Sequence, residues 1–161
     1  MTKTTLGKVT GIFLASNMGE AMQPRDHTLA IAGEGLVGDR YALGTGAYSN
    51  SKKQKIRHVS LIGQEAIDRA NNKLVVPFSV DETRRNLVTH GVELNDLVDE
   101  EFTVGDVAMR GVELCDPCKR PEKLAGKDGF MQAFQELGGL RAEVLQSGFI
   151  VVGSPITQQA A

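Results

Sequence analysis

The run Phe102-Thr103-Val104-Gly105-Asp106-Val107-Ala108-Met109-Arg110-Gly111-Val112-Glu113-Leu114-Cys115-Asp116-Pro117-Cys118 decides the fold. Two β-rich stretches, 102–104 and 107–114, flank Gly105-Asp106, a pair suited to the tight turn of a hairpin. The second stretch runs directly into Asp116-Pro117 between two cysteines, a turn signal that ends the strand and displays Cys118 beyond it. A strand that delivers a cysteine loop from its end is the motif around which the rest of the chain is read.

Outward from it, further short alternating or β-rich runs lie at 8–15, 27–32, 57–62, 86–89, 141–146 and 149–152. Ser147-Gly148 between two of them reads as a second hairpin turn. With 18 glycines as punctuation and only 5% aromatic residues, eight candidate strands predict a barrel or sandwich. Helical spacing interrupts them twice. Ala66, Ile67 and Ala70 share a face over 64–71, and Phe130, Ala133, Phe134 and Leu137 share one over 130–137, where Gly138-Gly139 supplies the stop. The expected class is therefore mainly β with a few short helices, a closed or partly open β-barrel. No repeat or linker divides residues 1–161, so one domain is expected. The glycine-rich stretch 33–54 reads as a long partly ordered loop, flexible over about 44–55, and the small polar residues 157–161 read as a frayed tail.

Composition narrows the function. At 161 residues, 41% hydrophobic and 24% charged, the chain has the make-up of a globular protein with one core. Eighteen basic residues against 20 acidic ones, a formal charge of -2, leave no cationic excess for a run of phosphates, so no general nucleic-acid binding is expected. Apolar runs such as Phe149-Ile150-Val151-Val152 are far short of the ~20 residues that cross a bilayer, so no membrane partner is expected. Met1-Thr2-Lys3-Thr4-Thr5-Leu6-Gly7 has no apolar core of secretory length, and a cytoplasmic location is the expectation.

Cys115 and Cys118 are the only cysteines. No zinc is expected, because a structural site takes four Cys or His ligands and His27, His58 and His90 are dispersed singly. Cys118 falls just ahead of a short expected helix with Pro121 in its first turn. Helix N–H groups together with Lys119 and Arg120 favour a thiolate, the form that serves as a nucleophile or a soft-metal ligand. The plain alternative is that both cysteines are small apolar fillers at a strand end. Arg84-Arg85-Asn86 places two guanidinium groups and an amide directly before a strand, a set suited to phosphate or carboxylate. If Asn86 opens that strand, Arg84 and Asn86 share one face and Arg85 takes the other. The plain alternative is an exposed basic turn against Asp81 and Glu82. Gly35-Leu36-Val37-Gly38-Asp39-Arg40-Tyr41 is neither a Walker loop nor a Rossmann fingerprint. A surface turn explains it, and a backbone anion site at Gly38, Asp39 and Arg40 is the second reading. Lys52, Lys53, Lys55 and Arg57 form the densest basic run, read first as a solvated loop and second as an anion contact. His58 reads as a satisfied, half-buried core histidine.

Taken in order, these pieces resemble the MOSC domain, named from the C-terminal part of molybdenum cofactor sulfurase and found also as a stand-alone bacterial protein. The resemblance runs through Gly35-x-x-Gly38-Asp39-Arg40, Arg57-His58-Val59-Ser60-Leu61-Ile62, Arg84-Arg85-Asn86-Leu87, Gly91-Val92-x-Leu94-Asn95-x-Leu97, Phe102-x-Val104-Gly105-Asp106-Val107, Leu114-Cys115-Asp116-Pro117-Cys118 and Gly138-Gly139-Leu140-Arg141-Ala142-Glu143. It implies a barrel of the MOSC or pyruvate-kinase-barrel-like kind and binding of the molybdenum cofactor, a pterin dithiolene. Cys118 matches the family's cysteine and would ligate the metal, with Arg84, Arg85 and Asn86 on the cofactor's phosphate and pterin; Cys115 is a possible auxiliary thiol. Pro121 and Ser154 depart from the usual Leu and Asp of the family pattern. The pyridoxal-phosphate-dependent desulfurase part of the full sulfurase has no counterpart in these residues. The leading expectation is an oxidoreductase that reduces a small N-hydroxylated substrate, with an electron-transfer or molybdoenzyme partner. The alternative is a carrier holding cofactor or a persulfide on Cys118, and a third is a thioredoxin-like dithiol, which the strand-rich pattern disfavours.

Overall fold

A computed structural model describes residues 2–51 and 55–160. Eleven strands and four short helices follow in order: β1 (Lys3–Leu14), β2 (Gln23–Arg25), β3 (His27–Ile31), β4 (Gly35–Leu36), α1 (Arg40–Leu43), β5 (Val59–Gly63), α2 (Gln64–Asn71), β6 (Leu87–His90), β7 (Glu101–Val104), β8 (Val107–Leu114), α3 (Arg120–Ala125), α4 (Phe130–Ala133), β9 (Leu140–Gln146), β10 (Gly148–Val151) and β11 (Pro155–Gln159). Single 3-10 turns cover Asp81–Thr83 and Leu94–Leu97.

Seven strands close into a barrel in the order β1-β11-β7-β8-β9-β5-β6, returning to β1, and β2 extends the sheet beside β1. β5 and β6 pair in parallel, with α2 in the crossover between them, while the other barrel pairings are antiparallel. The long strand β1 serves several neighbours because its register shifts between Thr5 and Gly7 and again between Val9 and Gly11. A side chain at Gly7 would lie 2.1 Å from the His90 carbonyl oxygen, so only glycine lets the strands meet at that corner. A separate sheet β10-β3-β4 covers one flank.

Inward-facing residues fill the barrel, among them Val9, Ile12, Leu61, Leu87, Val104, Met109, Leu140, Val144 and Ile156, each at most 1% exposed. A second cluster packs the helices against the barrel's outside: Ile67 and Ala70 of α2 meet Phe78, Phe130 and Phe134 over Ile62 and Val88. The Phe130 and Phe134 rings stack at 4.3 Å and Phe78 stands edge-on to Phe130 at 5.1 Å, geometries that add about 0.5–1.5 kcal/mol per pair beyond burial.

Each of the eight expected strands is present, and Val104 pairs with Val107 across the Gly105-Asp106 turn. Three expectations are corrected. Ser147-Gly148 does not join a hairpin: β10 leaves β9 and pairs with β3, while the Ser147 hydroxyl accepts the Ala32 N–H at 2.8 Å. The tail is not frayed over 157–159, because β11 pairs with both β1 and β7 and closes the barrel. The helix expected over 130–137 is one turn, Phe130–Ala133, followed by tight turns, and Gly138-Gly139 serves packing instead of capping. A Cβ at Gly138 would meet the Cys115 carbonyl at 2.2 Å, and one at Gly139 the Leu61 carbonyl at 2.0 Å. Of the expected loop 44–55, residues 52–54 lie outside the described residues. Residues 44–51 are held by bonds such as Thr45 Oγ1 to the Ser16 carbonyl at 2.7 Å. Ser154, where the family pattern has Asp, supplies its own acceptor: its hydroxyl takes the Val151 N–H at 2.9 Å. No helix among the described residues is long and apolar enough to cross a membrane.

Candidate functional site

At one end of the barrel a cleft of about 220 Å³ opens between the ends of β5, β8 and β9, the turn before β6, α1 and the start of α3. Arg40, Lys55, Arg57, Arg84, Arg85, Arg120 and Arg141 line it, against only two carboxylates, Glu113 and Asp116. A chain with net charge -2 thus places seven of its 18 basic residues on one concave surface.

Local folding explains how. Asp81–Thr83 forms a 3-10 turn that ends at Arg84 in the left-handed region, φ 64°. That reversal replaces the expected extended backbone, so Arg84 and Arg85 do not take opposite faces and both line the cleft. Arg84 is nearly buried and donates to the Glu20 carbonyl at 2.8 Å; Arg85 donates from Nε to the Gly138 carbonyl at 2.8 Å. Burial, and then the nearby charges of Arg40 and Arg120, push the Arg84 guanidinium down from its usual range to about 10. Arg57, Arg84, Arg85 and Arg120 have no carboxylate partner within ion-pair distance among the described residues. The cleft therefore carries positive charge that an anion would neutralise.

Asn86 lines the cleft and the buried Asp39 supports it from behind. The Asn86 amide donates to the Phe13 carbonyl at 3.1 Å and to Asp39 Oδ1 at 3.2 Å, and its oxygen accepts from Ser60 N–H and Oγ–H at 3.1 and 3.2 Å. Every position of that amide is used within the protein, so Asn86 holds the wall. Asp39 is fully buried, accepts the Ala15 N–H at 3.2 Å, caps α1 and pairs with Arg40 at 3.1 Å. Gly38, at φ 86°, makes the turn into Asp39, and neither residue lines the cleft. Arg40 does, and it also donates to the Arg84 carbonyl at 3.3 Å.

The two cysteines part company. Cys115 is buried at the end of β8, its N–H donating to the Gly139 carbonyl at 2.8 Å, much as an apolar filler would sit. Cys118 is half-buried on the cleft wall, one residue ahead of Lys119, the cap of α3, with Pro121 in the first turn as expected. The Tyr48 hydroxyl lies 4.0 Å from Cys118 Sγ, and the Arg57 guanidinium stacks over the Tyr48 ring at 4.8 Å. The proximity of Cys118 and burial raise the Tyr48 phenol above its usual 10. Of the basic run, Lys55 and Arg57 line the cleft; Lys52 and Lys53 lie outside the described residues. His58 stands aside, accepting the Val144 N–H at Nδ1 at 3.0 Å, as a satisfied histidine should.

The family model for the MOSC domain matches residues 37–157. The chain belongs to the MOSC domain family. No curated protein matches it in sequence. In fold, this MOSC domain is similar to the YuaD protein of Bacillus subtilis, with a TM-score of 0.80 at 17% identity over 97% of this chain and 96% of that one. It is also similar to YiiM of Escherichia coli, TM-score 0.68 at 14% identity over 96% and 70% of the two chains. YiiM of Geobacillus stearothermophilus gives 0.64 at 13% over 99% and 76%.

Sequence reasoning missed Tyr41, Tyr48, Ser60, Glu113 and Arg141 as lining residues of the MOSC cleft. Glu113 and Arg141 are register partners on β8 and β9, and Ser60 on β5 is the next partner of Arg141, so the three form one row across the wall. Strand pairing creates that row, and no local pattern announces it.

Proposed function

We propose that this MOSC domain binds the molybdenum cofactor in the cationic cleft, with Cys118 as the protein ligand to molybdenum. The observation that carries the reading is the meeting of a half-buried thiol with four guanidinium groups that lack carboxylate partners among the described residues. The donor set fits the group. Among the described residues no three His, Cys, Asp or Glu side chains gather to hold a bare ion, so a metal here needs ligands of its own, as the dithiolene provides. Arg84, Arg85 and Arg120 would hold the anionic phosphate, and Arg40 would brace Arg84 through its carbonyl.

When bound, the cofactor would supply two-electron transfer, and the matching reaction is reduction of a small N-hydroxylated compound to the amine and water with two electrons and two protons from a redox partner. The protein's part is orientation and charge neutralisation by the arginines. The Tyr48 hydroxyl stands 4.0 Å from Cys118 Sγ and is available to donate beside it. The test is anaerobic expression with molybdate in a cofactor-competent host, followed by metal analysis and fluorescence of released pterin. Stoichiometric molybdenum and pterin in wild type, with molybdenum much reduced in Cys118→Ser, is the expected result. Equal molybdenum in both removes the ligand role.

The solvent-reachable position of Cys118 also suits the carrier reading, in which its sulfur is offered to a partner molybdoenzyme. Intact-mass measurement separates the two: one extra sulfur on Cys118 without retained pterin favours the carrier.

A further inference from the structure

A cleft built for an anion has an unexplained feature, a carboxylate in its wall. Glu113 sits at the end of β8 beyond a register shift between Gly111 and Glu113, which sets it opposite Arg141 of β9 on the cleft side. Its Oε1 accepts from Arg141 Nη1 and from Lys55 Nζ, the latter at 3.3 Å. Its Oε2 makes no hydrogen bond to a side chain among the described residues, and the side chain is 36% exposed. The two cations thus fix the carboxylate in place while leaving one acceptor oxygen open. Beside it the Arg141 guanidinium offers N–H donors, and Ser60 extends the row with a hydroxyl.

We infer that Glu113 and Arg141 read the 2-amino-4-oxopyrimidine edge of a bound heterocycle, the open Oε2 accepting from the exocyclic amine and the guanidinium donating to the carbonyl. That edge presents donors and an acceptor side by side, and the carboxylate-guanidinium pair presents the complementary set. The inference rests on the proposed pterin cofactor, because the edge belongs to a pterin; guanine carries the same edge. Arg84, Arg85 and Arg120 then recognise charge, and Glu113 recognises the ring. A ligand lacking the amine leaves the Glu113 oxygen unpaired, which is the costly outcome for a partly desolvated carboxylate.

Binding titrations with the purified protein test this, using pterin against lumazine, which has a carbonyl in place of the 2-amino group, and GMP against IMP, which lacks it. Wild type is expected to bind pterin about ten- to a hundred-fold more tightly than lumazine, and Glu113→Gln to lose that preference. Because the wild-type comparison needs no variant, folding of Glu113→Gln does not decide the matter. Equal binding of pterin and lumazine together with equal binding of GMP and IMP overturns the inference, as does a preference that survives Glu113→Gln. A preference for GMP over IMP without one for pterin over lumazine supports reading of the edge and counts against the pterin cofactor.

Discussion

The Asn86 amide donates to the buried carboxylate of Asp39 at 3.2 Å, across 47 residues of sequence. That bond ties the turn before α1 to the turn before β6, the two segments that carry Arg40 and Arg84 into the cleft. Asp39 also accepts from Ala15 N–H and Arg40, and it is fully buried. Replacing it with Ala leaves Arg40 buried without its counter-charge. Asp39→Ala is therefore expected to lose about 3–5 kcal/mol in urea unfolding, and Asp39→Asn to lose less because its shape and one acceptor remain.

Arg84 is held against its own electrostatic interest, near-buried among Arg40 and Arg120. Arg84→Met keeps the backbone at φ 64° while removing the charge. The ligand-free variant is expected to be as stable as wild type or more so, by up to about 2 kcal/mol, because an unneutralised buried charge costs more than it returns. Thermal unfolding with and without inorganic phosphate checks this: phosphate raises the wild-type midpoint and moves the Arg84→Met midpoint much less. A variant that unfolds early and still responds fully to phosphate refutes it.

The barrel is more legible in the sequence than the site. Strands such as β5, β8 and β9 alternate or concentrate apolar residues, and Asp116-Pro117 follows the end of β8 as a strand-stopping pair, so local pattern suffices. β11 reads Pro-Ile-Thr-Gln-Gln with one inward apolar residue, Ile156, and it is a strand only because β1 and β7 both offer it backbone partners. β10 misleads for the same reason: its partner β3 is more than a hundred residues away. At the site, Arg84 and Arg85 are visible as residue types but not in direction, because a left-handed residue at 84 cannot be inferred from an arginine. Asn86 and Asp39 stand out in the sequence, but not the bonds that tie them together behind the cleft surface, which Asn86 lines and Asp39 does not. Glu113 and Arg141 meet through strand register, which one sequence does not encode locally.

His58 gives the pH dependence. Burial lowers its imidazole below the usual 6.5, with Glu143 partly opposing, and Nδ1 accepts the Val144 N–H. In the unfolded chain His58 takes up a proton as pH falls through 6.5, while the folded protein resists until lower pH. Unfolding is therefore favoured by the extra proton, and stability falls from about pH 7 towards about pH 5. His58→Asn, which retains an acceptor and cannot titrate, is expected to flatten that part of the curve. An unchanged acid slope in urea midpoints would show that His58 does not contribute.

Gly138 packs against the residue that follows β8 and Gly139 against β5, with carbonyl oxygens of Cys115 and Leu61 filling the space a Cβ would need. Gly139, at φ 97°, also occupies backbone space closed to other residues. Gly139→Ala is expected to cost at least about 2 kcal/mol, and Gly138→Ala to shift Cys115 and weaken phosphate binding through Arg85, whose Nε bonds the Gly138 carbonyl. Chemical denaturation and phosphate titration of the two variants check both statements.

Whether the thiol at the cleft mouth is a metal ligand is best decided by X-ray absorption at the molybdenum edge on protein purified with its cofactor. The expected spectrum of wild type contains one sulfur neighbour beyond the dithiolene pair, and that neighbour disappears in Cys118→Ser. The same number of sulfur neighbours in both proteins would contradict the assignment of Cys118 to the metal.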